Sequence, residues 1–122
     1  MTEATTVDFD LLDEIFSDRV AAVRMLQRAL DRARMLAKEI ADAAEANSWP
    51  GVRANAHQLR GMCANVGAKR LSEAAGRIEE AGNAGGWPPE SRLLSDLAAE
   101  LTRLASAIAD ALPAGDGTTG RA

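Results

Sequence analysis

The sequence contains a single histidine, His57, inside a stretch whose apolar residues recur with a helical spacing. These residues form one stripe, made of Val52, Ala56, Leu59, Cys63 and Val66. Successive residues of an α-helix are rotated by about 100°, so His57 lies roughly 140° away from that stripe. The imidazole is therefore predicted to face solvent, where it could carry a bulky group or hold an anion.

The residues beside His57 on the same helix face are small. Ala54, Gly61 and Ala64 stand three residues before it, four after it and seven after it. A solvated helix face ordinarily carries Glu, Lys or Gln there, and a glycine in a helix interior costs about 0.8–1 kcal/mol relative to alanine. We infer that a group on the ring, or the backbone of a partner protein, lies against this face.

The nearest basic side chains are Arg53 and Arg60, at roughly 100° and 80° from the stripe, and both could reach an anion held on His57. A metal site in a helical bundle would need Glu-x-x-His pairs or several histidines. Nucleophilic catalysis would need a base and its orienting partner in a pocket. The sequence offers neither pattern, which leaves an exposed imidazole with basic neighbours.

Composition favours a helical protein. Hydrophobic residues make up 47% of the 122 residues but aromatic residues only 3%, and a core of Leu, Ala, Val, Ile and Met favours helices over sheets. The length suits one domain that folds unaided. The net charge of −4 argues against nucleic acid as the main partner.

Cys63 is the only cysteine, so no disulfide can form within the chain, and its place on the stripe predicts a buried thiol. The N-terminal residues lack the basic and apolar regions of a signal peptide. No apolar run approaches the roughly 18 residues needed to span a bilayer. We therefore expect a soluble, cytoplasmic protein that binds neither nucleic acid nor membrane.

One short and four long helical patterns are indicated. They run from about residue 8 to 16, 18 to 45, 48 to 67, 68 to 82 and 90 to 112. Ser48 is expected to cap the third helix, and Trp49 and Trp87 to pack over an end of the assembly. Because short connections force antiparallel neighbours, the expected fold is all-α: an antiparallel up-down four-helix bundle over residues 1–112 with a short N-terminal cap helix. A flexible tail is expected over residues 113–122.

Residues 57–67 read His-Gln-Leu-Arg-Gly-Met-Cys-Ala-Asn-Val-Gly and continue with Ala-Lys-Arg-Leu. This stretch resembles the signature of the histidine-containing phosphotransfer (HPt) domains, which looks like His-x-Leu-Lys-Gly-Ser-Ser-Ala-x-x-Gly. The similarity covers the motif closely and the rest of the chain only as a pattern of helices.

The resemblance implies that His57 is the phosphoacceptor of a multistep two-component phosphorelay. It would receive a phosphoryl group from an aspartate of one receiver domain and pass it to another receiver. The implied partners are response-regulator receiver domains and a hybrid histidine kinase. The resemblance implies no kinase activity and no cofactor in this chain, because the Mg²⁺ is expected in the partner receiver. We also expect a monomer, since nothing in the sequence demands an oligomer.

The resemblance also suggests roles for the residues around His57. Arg60, where the family usually has Lys, would offset the phosphoryl charge. Gly61 and Ala64 would leave room for the docked receiver, and Gln58 could hydrogen-bond at its rim. The predicted partner-binding set is Arg53, Ala54, Gln58, Gly61 and Ala64.

Met62 and Cys63 replace the two serines of the signature, and Met62 could alter which receivers bind. Lys69 and Arg70 either extend the basic rim or form an ordinary solvated helix start. An alternative function is a docking or phosphate-sink module that binds receivers without productive relay. A domain of a larger hybrid kinase is a further possibility, although the initiating Met and polar start favour a free-standing shuttle.

Overall fold

The computed structural model describes residues 6–16, 18–89 and 91–111, and within these ranges every regular element is helical. This confirms the all-α prediction, whereas Leu112 and the tail predicted for residues 113–122 lie outside the described residues. The five helices are α1 (Phe9–Ile15), α2 (Arg19–Glu45), α3 (Trp49–Asn65), α4 (Lys69–Ala84) and α5 (Leu93–Ala111).

The four long helices contact one another in a closed order, α2 with α3, α3 with α4, α4 with α5 and α5 with α2. The most extensive of these contacts joins α3 to α4, and α1 packs against α2. The core between them is aliphatic, as the composition predicts, and burying each large side chain contributes about 1.5–3 kcal/mol. Its largest fully buried members include Leu26, Leu36, Ile40, Leu59, Leu71, Ile78, Leu97 and Leu104.

Three helix ends differ from the sequence-based expectation by two residues or more. The third helix ends at Asn65 rather than near residue 67. The fourth helix continues two residues past Gly82 and ends at Gly85, whose φ of 84° is the left-handed conformation that stops a helix. The fifth begins at Leu93 rather than near residue 90, and its first N–H donates to the Ser91 hydroxyl at 3.2 Å. Ser48 occupies the N-cap position of α3, but its side chain makes no capping hydrogen bond.

Two side-chain contacts join the helices at the periphery. Trp49 and Trp87 pack edge to face with ring centroids 5.1 Å apart, which links the start of α3 to the loop before α5. On α5, Glu100 accepts hydrogen bonds from Arg70 of α4 at 3.1 Å and from Arg103 at 2.6 Å. Arg70 is therefore tied to α5, and its pairing with Glu100 gives it a structural role.

The α3–α4 contact is close because α4 carries glycine where α3 crosses it. A Cβ on Gly82 would lie 2.7 Å from the Arg53 backbone nitrogen and 2.9 Å from its Cα, and a Cβ on Gly76 would lie 3.3 Å from Arg60 Cδ. Since backbone atoms cannot yield as a flexible side chain can, Gly82 is required by the packing.

We expect Gly82→Ala to destabilise the protein by about 1–3 kcal/mol, because the added methyl group forces α3 and α4 apart. Gly61→Ala is the matched control: a Cβ there meets nothing within 4 Å, so alanine should stabilise the helix by about 0.5–1 kcal/mol. Urea unfolding followed by circular dichroism measures both. Equal stability of Gly82→Ala and wild type would contradict the close packing.

Candidate functional site

The sequence prediction for α3 is confirmed on both of its faces. Val52, Ala56, Leu59 and Cys63 are fully buried, while Val66 is half-buried at the helix end. His57 points away from them, with 64% of its side chain exposed. The imidazole is therefore accessible to another macromolecule without any rearrangement of the core.

The surface around His57 is open, as expected from its small residues. The five residues of the predicted partner-binding set are all exposed. Gly61 is the most informative of them, because no atom lies within 4 Å of the place where its Cβ would be. Internal packing therefore does not require this glycine, and its cost to the helix is not recovered inside the protein.

A half-buried carboxylate from the neighbouring helix contacts the histidine, and nothing in the α3 motif indicates it. Glu79 of α4 has a side chain only 13% exposed, and its Oε2 lies 2.8 Å from His57 Nδ1. An ionised carboxylate can only accept a hydrogen bond, so Nδ1 is the protonated nitrogen. In the neutral ring, the lone pair then belongs to Nε2, which is the nitrogen available to react.

The sequence does contain a signal for this contact. Gly76 and Gly82 lie three residues before and three residues after Glu79, on one face of α4. Each is closely approached by α3, through Arg60 and Arg53 respectively. Gly82 lets the backbone of α3 come this near, and Glu79 lies between the two glycines, where its side chain meets His57.

Arg60 contacts the same carboxylate. Its Nε lies 3.3 Å from Glu79 Oε1, and its side chain is 48% exposed. This distance is that of an ion pair, but Oε1 is buried and receives no hydrogen bond of acceptable geometry. The contact between Arg60 and Glu79 is therefore an ion pair without a hydrogen bond to Oε1. The two terminal nitrogens of Arg60 carry four further N–H donors, which can bind another anion beside His57.

The two departures from the HPt signature lie below the exposed face. Met62 is half-buried and packs against the core. Cys63 is buried, and burial raises the pKa of its thiol to about 12. The thiol therefore stays protonated near neutral pH and is a poor nucleophile.

Other kinds of site find no support in the residues that the structure describes. Among them, no three or more His, Cys, Asp and Glu side chains come together as a metal-binding group. None of the helices described is both long enough and apolar enough to cross a membrane.

A family model described as the Hpt domain matches residues 24–107, more than half of the chain. The chain belongs to the Hpt domain family. The match contains all of α3 and α4, and with them His57, Arg60 and Glu79. Hpt domains take part in histidine phosphotransfer in two-component phosphorelays, where they interact with receiver domains and histidine kinases. No curated protein and no solved structure gave a significant match.

The hydrogen bond to Glu79 predicts one tautomer for His57 of this Hpt domain. In ¹H–¹⁵N correlation spectra of the neutral ring, Nδ1 should carry the proton and Nε2 should not. Glu79→Ala removes the acceptor, so both tautomers should then be populated. A wild-type spectrum in which Nε2 carries the proton would show that the contact is absent in solution.

Proposed function

We propose that this Hpt domain is a histidine phosphotransfer protein of a multistep phosphorelay, with His57 as its phosphoacceptor. It accepts a phosphoryl group from an aspartate of one receiver domain and passes it to an aspartate of another. The observation that carries the proposal is the environment of His57: an exposed imidazole, on a face of small residues, whose Nδ1 contacts a half-buried carboxylate at 2.8 Å. Membership of the Hpt family, whose domains take part in histidine phosphotransfer, supports the proposal that this imidazole accepts the phosphoryl group.

His57 acts through Nε2, which attacks the phosphorus atom of the receiver's acyl phosphate. Phosphoryl transfer requires an in-line nucleophile and stabilisation of charge on the transferred oxygens, with little other covalent chemistry. Glu79 orients the ring for this attack. The Mg²⁺ belongs to the receiver, and this chain needs no cofactor of its own.

Arg60 offsets the charge of the phosphoryl group once it is on His57. It stands three residues after His57, on the adjacent part of the exposed face. The guanidinium contacts Glu79 through Nε, and it has four further N–H donors on its two terminal nitrogens. These donors can bind phosphoryl oxygens with the paired geometry that arginine provides.

The receiver docks on the exposed face of α3. Gly61 and Ala64 leave room for its backbone, and Arg53, Ala54 and Gln58 contact it around the rim. Half-buried Met62 influences which receivers fit. The partners are response-regulator receivers and a hybrid histidine kinase, and the protein acts as a cytoplasmic monomer.

The finer architecture is part of the same proposal: an antiparallel up-down bundle of α2 to α5, capped by α1, within a domain of residues 1–112. The α3–α4 contacts support it. Arg53, near the start of α3, packs against Gly82, near the end of α4, while Arg60 packs against Gly76. The two helices therefore run in opposite directions.

Phosphotransfer from a panel of phosphorylated receiver domains tests the function. We expect at least one receiver to transfer its label rapidly to the wild-type protein, as acid-labile phosphate, and none to transfer to His57→Gln. Transfer onward to a second receiver completes the relay. A receiver that binds but never transfers its label would favour the docking or phosphate-sink alternative. Transfer of label to the His57→Gln variant would exclude His57 as the acceptor.

The docking face is tested at Gly61. We expect Gly61→Glu to reduce transfer at least about tenfold, because the added side chain projects into the space that the receiver must occupy. Thermal melting should change little, since the site is exposed and no core residue is touched. Gly61→Ala is the control for helix propensity. If Gly61→Glu accepted phosphate at the wild-type rate, the receiver would have to dock on another surface.

A further inference from the structure

We propose that Glu79 determines how readily phosphorylated His57 releases its phosphoryl group, because its carboxylate keeps a proton on Nδ1 of the phosphorylated ring. The proposal rests on the function proposed for His57 and concerns a positioning residue rather than a group that touches the phosphoryl. It starts from the 2.8 Å contact between Glu79 Oε2 and His57 Nδ1.

The proton on Nδ1 matters because of how the bonds change. When the neutral ring attacks, the Nε2 lone pair forms the N–P bond, and the P–O bond to the donor aspartate breaks with its electron pair left on the carboxylate. The ring keeps its Nδ1 proton and becomes a cation. No proton has to move, and the negative charge of Glu79 is already at hydrogen-bonding distance from the new positive charge.

Release follows the same path in reverse. A carboxylate of the recipient receiver, or water, attacks phosphorus, and the N–P bond breaks with its electron pair returning to Nε2. If Nδ1 is protonated, the leaving group is neutral imidazole, which departs readily. If Nδ1 has lost its proton, the leaving group is the imidazolate anion, which departs poorly. The protonated fraction of the phosphorylated ring therefore limits the rate of release.

Glu79 is well placed to raise that fraction. Its side chain is only 13% exposed, so its interaction with the ring is less screened than that of a surface carboxylate. A negative charge beside the ring favours the cation, and a carboxylate facing a bare Nδ1 lone pair disfavours the unprotonated form. Arg60 lies on the other side of the carboxylate, with its Nε 3.3 Å from Oε1.

Glu79→Gln removes the charge at nearly constant shape, and its amide can turn to donate an N–H to an unprotonated Nδ1. Glu80→Gln is the matched control. Glu80 is the next residue on α4; its side chain is exposed and lines the groove beside Trp87. Its substitution by Gln makes the same change in net charge. Both variants are checked for folding by circular dichroism.

In the experiment, His57 is phosphorylated with phosphoramidate, a small phosphoryl donor, so that no receiver is needed. The spontaneous hydrolysis of the phosphorylated proteins is then followed at pH 8 by ³¹P NMR. We expect Glu79→Gln to lengthen the half-life about three- to tenfold, because an opposite charge close to a partly exposed group changes its protonated fraction by about tenfold or less. Glu80→Gln should match the wild type. Transfer from Glu79→Gln to a receiver should slow by a similar factor.

A half-life unchanged by Glu79→Gln would overturn the proposal, even if receiver transfer slowed, since that pattern means that Glu79 only orients the ring for docking. The wild type provides a second test that needs no variant: ¹⁵N spectra of the phosphorylated ring should show a proton on Nδ1 bonded to a carboxylate. An unprotonated Nδ1 at pH 8 would also overturn it. Failure of the relay function itself would look different, as a wild-type protein that no receiver phosphorylates.

Discussion

The close approach of α3 to α4 is the constraint on which the site depends. It is made possible by glycine at position 82, because a side chain there would overlap the Arg53 backbone, while glycine at position 76 faces the flexible end of Arg60. Glu79 lies midway between these glycines and reaches across the narrow gap to His57. If the helices stood farther apart, as alanine or a larger residue at position 82 would require, the carboxylate could not reach the ring at hydrogen-bonding distance.

The polar groups of the site differ in how far they are exposed to water, and this difference matches their proposed roles. Glu79 is largely excluded from water, whereas His57 and Arg60 are about half exposed or more. The Glu79 carboxylate, which must keep its position beside the ring, is therefore held by the packing of α3 against α4. The groups that must meet a partner remain on the surface, where their reorganisation costs little.

A second carboxylate in the structure makes the role of Glu79 clearer by contrast. Glu100 is exposed to a similar small extent and accepts hydrogen bonds from Arg70 and Arg103, whose guanidinium groups are always charged. Through Arg70, that cluster joins α4 to α5. Glu79 has one permanent cation, Arg60, and one ring that can gain or lose a proton, so its pairing can respond to the chemical state of His57.

The sequence alone determined the helical class, the buried stripe of α3 and the exposure of His57, because these follow from spacing along one helix and are independent of its neighbours. It also indicated the family through a contiguous motif. Only the tertiary structure decided that Glu79 contacts His57 and that Arg70 pairs with Glu100, since residues 22 and 30 positions apart meet only after helices pack. The ends of α4 and α5 belong to the same group: they depend on the Gly85 conformation and on the Ser91 contact, which periodicity does not encode.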